Sequence, residues 1–380
     1  MRRKGPLAFN STRSMSNSKC TNFMRRMNHF KNMPKSLKRK LPTCRTSSST
    51  ASGTSMLPIL LLDIEHSANT TCRLVFEDDL KADLIWMMTN ILRFSQKSAS
   101  RSMNPIILLH GPPGTGKTTL CQGLAQKISI RLNETYKRTK LIQIKTAALL
   151  SKYYSESAKQ VEQIFTIIAE MCQDDPERFI CVLIDEIESI AFSREHSSRH
   201  GESQDSLRAT NSLLTGLDRT KRFPNVIFLC TSNMIESLDS AFVDRCGQQI
   251  AVNPPSLCSQ YAIIRGRLQR LIEEENVSFQ NRDLPQFDAA QVDWVANQDG
   301  PDAGPGARIL GILRLIGPGV SGRTLTQLPE QAILRYLRWE DCDLDLALTF
   351  MRRFIMSQMN KDIVDGKELD EDTRVAKRKR

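Results

Sequence analysis

The chain has 380 residues, with 53 Lys and Arg against 42 Asp and Glu, and a formal net charge of +11. This length is enough for about two folded domains, each with a sizeable core. Residues 1–50 hold thirteen Lys and Arg and no acidic residue, so the rest of the chain is close to neutral. The excess positive charge therefore belongs to a tail and not to the folded body.

The composition also excludes a membrane span. The longest apolar run near the N-terminus covers residues 59–62, far fewer than the roughly 20 residues that cross a bilayer. The first thirty residues lack the apolar core of a secretory signal, although their Arg- and Ser-rich composition leaves a mitochondrial transit peptide as an alternative. The ten Cys include no C-x-x-C pair, and several lie in apolar runs, so we expect reduced thiols and no structural zinc.

The N-terminal segment, residues 1–55, is polar and basic and is expected to be disordered. An amphipathic helix is predicted between residues 75 and 93, behind an acidic first turn. Short apolar runs then alternate with helical patterns. The predicted strands are 106–109, 141–144, 179–184 and 226–230, and the helices between them are 118–128 and 156–171.

This alternation predicts an α/β nucleotide-binding domain over residues 56–254, with a parallel sheet covered by helices on both faces. After Pro254-Pro255 the strand signal stops, and helical spacing in 263–272, 324–337 and 344–356 predicts a smaller α-helical lid over 255–360. Because residues 298–319 are rich in Gly and Pro, we expect a flexible loop there. A charged tail follows at 361–380.

The strongest motif starts at Gly111 and reads G-x-x-x-x-G-K-T, directly after a predicted strand and at the start of a predicted helix. In this context the pattern predicts a phosphate-binding loop rather than an ordinary turn before a helix. Backbone N–H groups and the helix N-terminus would surround phosphate oxygens, Lys117 would reach the β- and γ-phosphates, and Thr118 would hold Mg²⁺. The nucleotide-binding candidates are Gly111, Pro112, Pro113, Gly114, Thr115, Gly116, Lys117, Thr118 and Thr119.

Polar residues end two further strands. Asp185 and Glu186 follow the apolar run 179–184, and a parallel neighbour would bring them to the sheet edge where the phosphates bind. Asp185 suits the Mg²⁺ role and Glu186 that of the base that polarises a water, whereas the alternative is a solvated helix start. Asn233, after 226–230, could orient that water or be a turn residue.

Together these motifs resemble the pachytene checkpoint protein 2, or thyroid receptor-interacting protein, family of AAA+ ATPases. The similarity runs from about 74 to 360, and the more specific strings narrow it to this branch. They are the phosphate-binding loop, Ser151-Lys-Tyr-Tyr-Ser-Glu-Ser-Ala-Lys159, the acidic strand end 182–189, Thr231-Ser-Asn233, Ala241-Phe-Val-Asp-Arg245 and Val320-Ser-Gly-Arg323.

The resemblance implies roles for three side chains. Asn233 would be sensor 1, Arg323 on the lid would be sensor 2, and Arg245 would be the arginine finger that reaches the neighbouring subunit's γ-phosphate. An Arg supplied in trans makes hydrolysis depend on assembly. Each Arg has an alternative as a surface ion-pair partner, and for Arg245 the adjacent carboxylate is Asp244.

The resemblance also implies a pore loop at Lys152, Tyr153 and Tyr154, whose aromatic rings would grip an extended polypeptide in the channel of a homo-hexamer. The alternative is that these rings pack on a neighbouring helix. Members of the family carry a folded N-terminal receiving domain, and the sequence before Val75 is too poor in apolar residues to form one. In the family that domain receives the complex of substrate and adaptor, so we expect adaptor-dependent recruitment of the substrate to be affected.

By resemblance, the chain is an ATP hydrolase that uses ATP and Mg²⁺ to remodel HORMA-domain proteins of meiotic chromosomes and the spindle checkpoint. Two alternatives stay open: a nucleotide-binding scaffold without turnover, and a AAA+ enzyme acting on nucleic acid. The basic clusters 38–40 and 377–380 fit nuclear localisation signals better than a nucleic-acid platform, although weak nucleic-acid contact is an alternative. We expect a nuclear, chromosome-associated location, with the cytoplasm as an alternative.

Overall fold

The computed structural model describes residues 59–63, 80–97, 104–146, 149, 157–193, 204–281, 283–297, 300, 303–338 and 341–358. The two predicted tails lie outside these residues, and so does the predicted pore loop at Lys152, Tyr153 and Tyr154. Within the described ranges, no helix combines the length and apolar character needed to cross a membrane.

In the part of the chain that the structure describes, six strands form a single sheet. They are β1 (Ile59–Asp63), β2 (Ile106–His110), β3 (Arg138–Lys145), β4 (Arg178–Asp185), β5 (Val226–Ser232) and β6 (Gln248–Ala251). The spatial order is β1-β3-β4-β5-β2-β6. The five strands from β2 to β6 run parallel, as predicted, whereas β1 pairs antiparallel with β3 at one edge.

Ten helices surround or follow this sheet in the described residues. They are α1 (Leu80–Lys97), α2 (Lys117–Arg131), α3 (Ser157–Asp174), α4 (Gln204–Thr220), α5 (Ser240–Val243), α6 (Leu257–Glu273), α7 (Phe287–Asn297), α8 (Pro305–Ile316), α9 (Gly322–Tyr336) and α10 (344–358). The predicted first helix is present over Leu80–Lys97, and residues 75–79 of the prediction lie outside the described residues.

The side chains of the central strands alternate between two cores. On β4, Ile180 and Val182 pack with α3 and α4, while Cys181 and Leu183 pack with α1 and α2 on the opposite face. Both faces of the sheet are therefore buried beneath helices, which explains why β4 is apolar at nearly every position. This arrangement confirms the predicted α/β layering with helices on both faces of a parallel sheet.

The carboxyl ends of the parallel strands lie at one edge of the sheet. β2 pairs His110 with Ser232 of β5, and β3 pairs Lys145 with Asp185 of β4. Residues that directly follow these strands are consequently brought together, which is the position where open α/β sheets bind ligands.

Helices α6 to α10 share a third core, which includes Tyr261, Leu310, Leu325 and Met351. This helical region begins after Pro255. The predicted lid is therefore helical in the structure.

The expectation of a flexible loop over 298–319 is wrong for most of its length, because α8 occupies Pro305–Ile316. Pro305 stands at the start of the helix, where its missing N–H is harmless, and Gly317 ends it with a φ of 77°. A Cβ on Gly306 would lie 2.7 Å from the side chains of Ala290 and Pro285. These glycines and prolines therefore begin, end and pack a helix instead of marking a loop.

Candidate nucleotide-binding site

The loop between β2 and α2 needs glycine at three positions. Gly111, Gly114 and Gly116 all have positive φ values, of 147°, 76° and 91°, a region that other residues rarely adopt. A Cβ on Gly111 would lie 2.3 Å from the carbonyl oxygen of Val252, and one on Gly114 would lie 2.8 Å from Ser321. A side chain at either position would clash with its neighbours, so this loop conformation requires glycine.

The side chain of Lys117 lies in this cradle and is only 6% exposed. Its ammonium donates to the carbonyl oxygens of Gly111 and Pro112 at 2.7 and 2.8 Å, and to Asn233 Oδ1 at 2.8 Å. Burial lowers the pKa of Lys117, and the nearby carboxylates, Glu188 foremost, oppose this. The three acceptors hold the ammonium where phosphate oxygens would replace them.

The donor set beside Lys117 suits a magnesium ion. Thr118 donates its hydroxyl to Asp185 Oδ1 at 2.7 Å, and Thr231 donates to the same oxygen at 2.5 Å. Hydroxyl and carboxylate oxygens are the ligands Mg²⁺ prefers, so Thr118 and Asp185 could hold the ion. Bound there, Mg²⁺ would offset negative charge on the phosphates.

Glu186 follows Asp185 with a backbone that few residues other than glycine adopt, since its φ is 53° and its ψ is 53°. Two side-chain hydroxyls support this turn. Thr231 Oγ1 accepts from the Glu186 N–H at 3.1 Å, and Thr146 donates to the carbonyl oxygens of Asp185 and Glu186 at 2.7 and 3.1 Å. The side chain of Glu186 is exposed, so its carboxylate is accessible to a water beside the cradle.

Asn233 is held from both sides. Its Oδ1 accepts from Lys117 at 2.8 Å, and its Nδ2 and backbone N–H both donate to Glu188 Oε1 at 3.1 Å. The structure thus brings the ends of β2, β4 and β5 into one hydrogen-bonded array. Sequence reasoning did not single out Glu188, Thr231 or Thr146. Glu188 and Thr231 stand in the quoted motifs at the ends of β4 and β5, and the signal for Thr146 was its position directly after β3.

The two predicted arginines lie at different places. Arg323 is the second residue of α9, and its backbone N–H donates to Gly114 O at 3.3 Å, so the lid contacts the cradle directly. Arg245 follows α5, and its side chain donates to Asp218 and to Ala241 O. In the described part of the chain, the hydrogen bonds of the Arg245 side chain therefore lie within the protomer and away from the cradle.

A cavity of about 150 Å³ opens beside the cradle, between the α/β domain and the lid. Its wall combines the chain around Pro254-Pro255 with residues from α1, the loop and the lid. The lining residues are Leu80, Thr115, Ala251, Val252, Asn253, Pro254, Pro255, Ser259, Ile263 and Gly322. Its position and mixed apolar and polar wall suit the base and sugar of a nucleotide.

A model of the ATPase family associated with various cellular activities (AAA) matches residues 107–254. A pachytene checkpoint protein 2 homolog of Arabidopsis thaliana is 40% identical over 276 residues, which cover 67% of this chain and 56% of that protein. The homolog of Danio rerio is 35% identical over 290 residues, which cover 75% of this chain and 67% of that protein. The chain thus spans little more than half the length of the plant relative.

The comparison with solved structures indicates the same family. The structure of Caenorhabditis elegans PCH-2 has a TM-score of 0.66 at 30% identity, and the match covers 80% of this chain and 76% of that one. A complex of HORMA, CdnC and Trip13 from Escherichia coli MS115-1 has a TM-score of 0.55 at 18% identity, covering 77% of this chain and 93% of that chain, and shows the fold alone. By its phosphate-binding array, its fold and these relatives, the chain belongs to the pachytene checkpoint protein 2 family of AAA ATPases.

Proposed function

We propose that the chain binds ATP with Mg²⁺ and hydrolyses it to ADP and phosphate. The observation that carries this proposal is the array at the sheet edge. The ammonium of Lys117 shares a hydrogen bond with Asn233, and beside it the hydroxyl of Thr118 is bonded to Asp185. An ammonium, a hydroxyl and a carboxylate in this arrangement are what a nucleoside triphosphate needs for its phosphates and metal.

Each side chain has a role that follows from its chemistry. Lys117 would exchange its carbonyl acceptors for β- and γ-phosphate oxygens, and Glu186 would orient a water and accept its proton. Asn233 would help to orient that water. Arg323 belongs to the lid and lies beside Gly114. Movement of the lid would therefore carry its guanidinium toward or away from the phosphates. Arg245 would act on the site of a neighbouring subunit.

Replacing Lys117 tests the binding half of this proposal. In Lys117→Ala, we expect ATP binding and phosphate release to be lost, because the change removes the ammonium that lies in the cradle. The matched control is Lys137→Ala, which removes an exposed lysine paired at 3.7 Å with Glu177 and should leave both measurements unchanged. Normal phosphate release by Lys117→Ala would contradict the proposal.

We further propose that this hydrolysis drives conformational remodelling of HORMA-domain proteins by a ring hexamer, in meiotic and spindle checkpoints. Membership of the pachytene checkpoint protein 2 family supports this. A solved complex with the same fold contains HORMA, CdnC and Trip13, which makes HORMA-domain proteins the clients to test. The predicted pore loop at Lys152, Tyr153 and Tyr154 would grip the client. The basic clusters at the chain's two ends support a location in the nucleus.

A trapping experiment tests the client. Glu186→Gln should bind ATP without releasing phosphate, and so hold clients that the wild-type chain releases. We expect HORMA-domain proteins to be retained with ATP and lost with ADP. Retention of nucleic acid without HORMA-domain proteins would instead indicate an enzyme that acts on nucleic acid. ATP-dependent retention by a wild-type chain that releases no phosphate would indicate a scaffold.

A further inference from the structure

Glu188 lies in the short 3-10 turn Ile187–Ser189 that directly follows Glu186. Its Oε1 accepts two hydrogen bonds from the same residue, one from the backbone N–H of Asn233 and one from Nδ2, both at 3.1 Å. One carboxylate oxygen therefore fixes both the end of β5 and the side chain beyond it. This pairing joins two segments that are 45 residues apart.

The two partners of Asn233 determine which way its amide points. A carboxylate only accepts hydrogen bonds and an ammonium only donates them. With Nδ2 on Glu188 and Oδ1 on Lys117, the flipped amide would place a donor against a donor and an acceptor against an acceptor. Glu188 and Lys117 thus together keep the amide oxygen of Asn233 directed at the cradle.

The second carboxylate oxygen supports a role beyond local folding. Oε2 of Glu188 is buried and makes no hydrogen bond with any residue that the structure describes. Buried acceptors without a partner are rare and costly, and those that persist call for a particular explanation. The Glu188 carboxylate also lies near Lys117. Among the nearby carboxylates, it contributes most to opposing the fall in the pKa of Lys117 that burial causes.

We propose that Glu188 is a positioning residue for ATP hydrolysis, which acts by fixing the amide of Asn233. This inference rests on the proposed ATPase activity. Glu188 does not itself contact the phosphates in this account, and it acts only through Asn233. When Lys117 turns to the phosphates, the amide oxygen of Asn233 is released from its bond to the ammonium while Nδ2 stays on Glu188. The freed oxygen then faces the attacking water.

The test compares phosphate release by four chains: wild type, Glu188→Ala, Asn233→Ala and the double variant. Glu188→Ala should lower kcat by about 10²-fold, a loss typical of a misplaced reacting group, with little change in KM. Because Glu188 acts through Asn233, the double variant should be no slower than Asn233→Ala alone. Losses that multiply in the double variant, or a Glu188→Ala chain with wild-type kcat, would overturn the inference.

Two more variants separate hydrogen bonding from charge and folding. Glu188→Gln keeps an accepting oxygen and should retain far more turnover than Glu188→Ala; equal loss in both would assign the effect to charge and overturn the inference. Glu188→Met keeps the side-chain length without an acceptor, and it repeats the four-chain comparison if Glu188→Ala unfolds. Glu236→Gln removes an exposed carboxylate nearby and should match wild type.

The same measurements distinguish a failure of the proposed ATPase activity from a failure of the proposed role of Glu188. A wild-type chain that releases no phosphate would overturn the proposed ATPase activity, and this inference with it. An active wild-type chain with an unaffected Glu188→Ala variant would overturn the inference alone.

Discussion

The guanidinium of Arg245 is held within its own protomer. Nε and Nη2 both donate to Asp218 Oδ2, at 3.1 and 3.0 Å, and Nη1 donates to Ala241 O at 2.7 Å. Burial raises the pKa of Asp218, but hydrogen bonds from Arg245 and Lys221 outweigh it and leave this pKa below its ordinary value. The ion-pair partner is therefore Asp218 on α4, and not the adjacent Asp244 that the sequence suggested.

This ion pair allows a direct comparison of two roles for Arg245. Both side chains are about one-third exposed, so breaking the pair should cost at most about 1 kcal/mol of unfolding free energy. If Arg245 is the arginine finger, Arg245→Ala should reduce phosphate release by about 10³-fold or more without loss of ATP binding. Asp218→Ala breaks the same pair but keeps the guanidinium, and it should stay active. Equal loss of turnover in both variants would make Arg245 a structural residue.

The candidate site shows why some residues could be predicted from sequence and others could not. Lys117, Asp185 and Asn233 are recognisable because each stands in a motif at the end of an apolar run. Glu188 and Thr231 belong to the same motifs, but their importance depends on pairing between β4 and β5, which no local pattern reports. The orientation of Asn233 could only be seen once both of its partners were in place.

Among the helices, the contact between α3 and α4 depends on one glycine. Gly216 is buried on α4, and a Cβ there would lie 2.3 Å from the ring of Phe165 on α3. The ring is fully buried and packs against Phe228 of β5. It therefore has little freedom to move aside.

Gly216→Ala should accordingly lower the free energy of unfolding by about 1–3 kcal/mol through overpacking. The control is Gly266→Ala on α6, where an added Cβ meets nothing within 4 Å. Because alanine favours the helical backbone, that change should raise stability by about 0.5–1 kcal/mol. Chemical denaturation measures both, and a stabilising Gly216→Ala would contradict the packing described here.

Elements buried on both faces were predictable, and those with mixed signals were not. The runs 179–184 of β4 and 226–230 of β5 are wholly apolar, so their short, unbroken apolar character identified them. The short strand β6 alternates between partly buried and exposed positions. In α4, polar residues separate the apolar positions Leu207, Ala209, Leu213, Leu214 and Leu217. For α8, the prediction of a loop relied on the glycine and proline content. The apolar residues Ile309 and Leu310, which are buried in the structure, were the better indication of a helix.

For the molecule as a whole, thiol accessibility reports whether both sides of the sheet are packed. Cys121, Cys181 and Cys230 are fully buried in the α/β domain, and burial raises the pKa of Cys181 to about 12. Cys258, at the start of α6, is exposed. Among these four, the reactive thiolate should form readily only at Cys258.

Under native conditions, iodoacetamide should therefore label Cys258 well before the three buried thiols, with peptide mass spectrometry as the readout. In denaturant, all four should react at similar rates, because burial no longer suppresses the thiolates. Rapid native labelling of Cys121 or Cys181 would show that the sheet is not packed as described.

The central claim, that the array around Lys117 binds ATP and that Glu186 activates the attacking water, is tested most directly by Glu186→Gln. ATP binding and phosphate release are measured on this variant and on the wild-type chain. The account predicts unchanged ATP binding and a fall in phosphate release of about 10²-fold or more, because the base is gone while the cradle remains. Phosphate release by Glu186→Gln at the wild-type rate would contradict it.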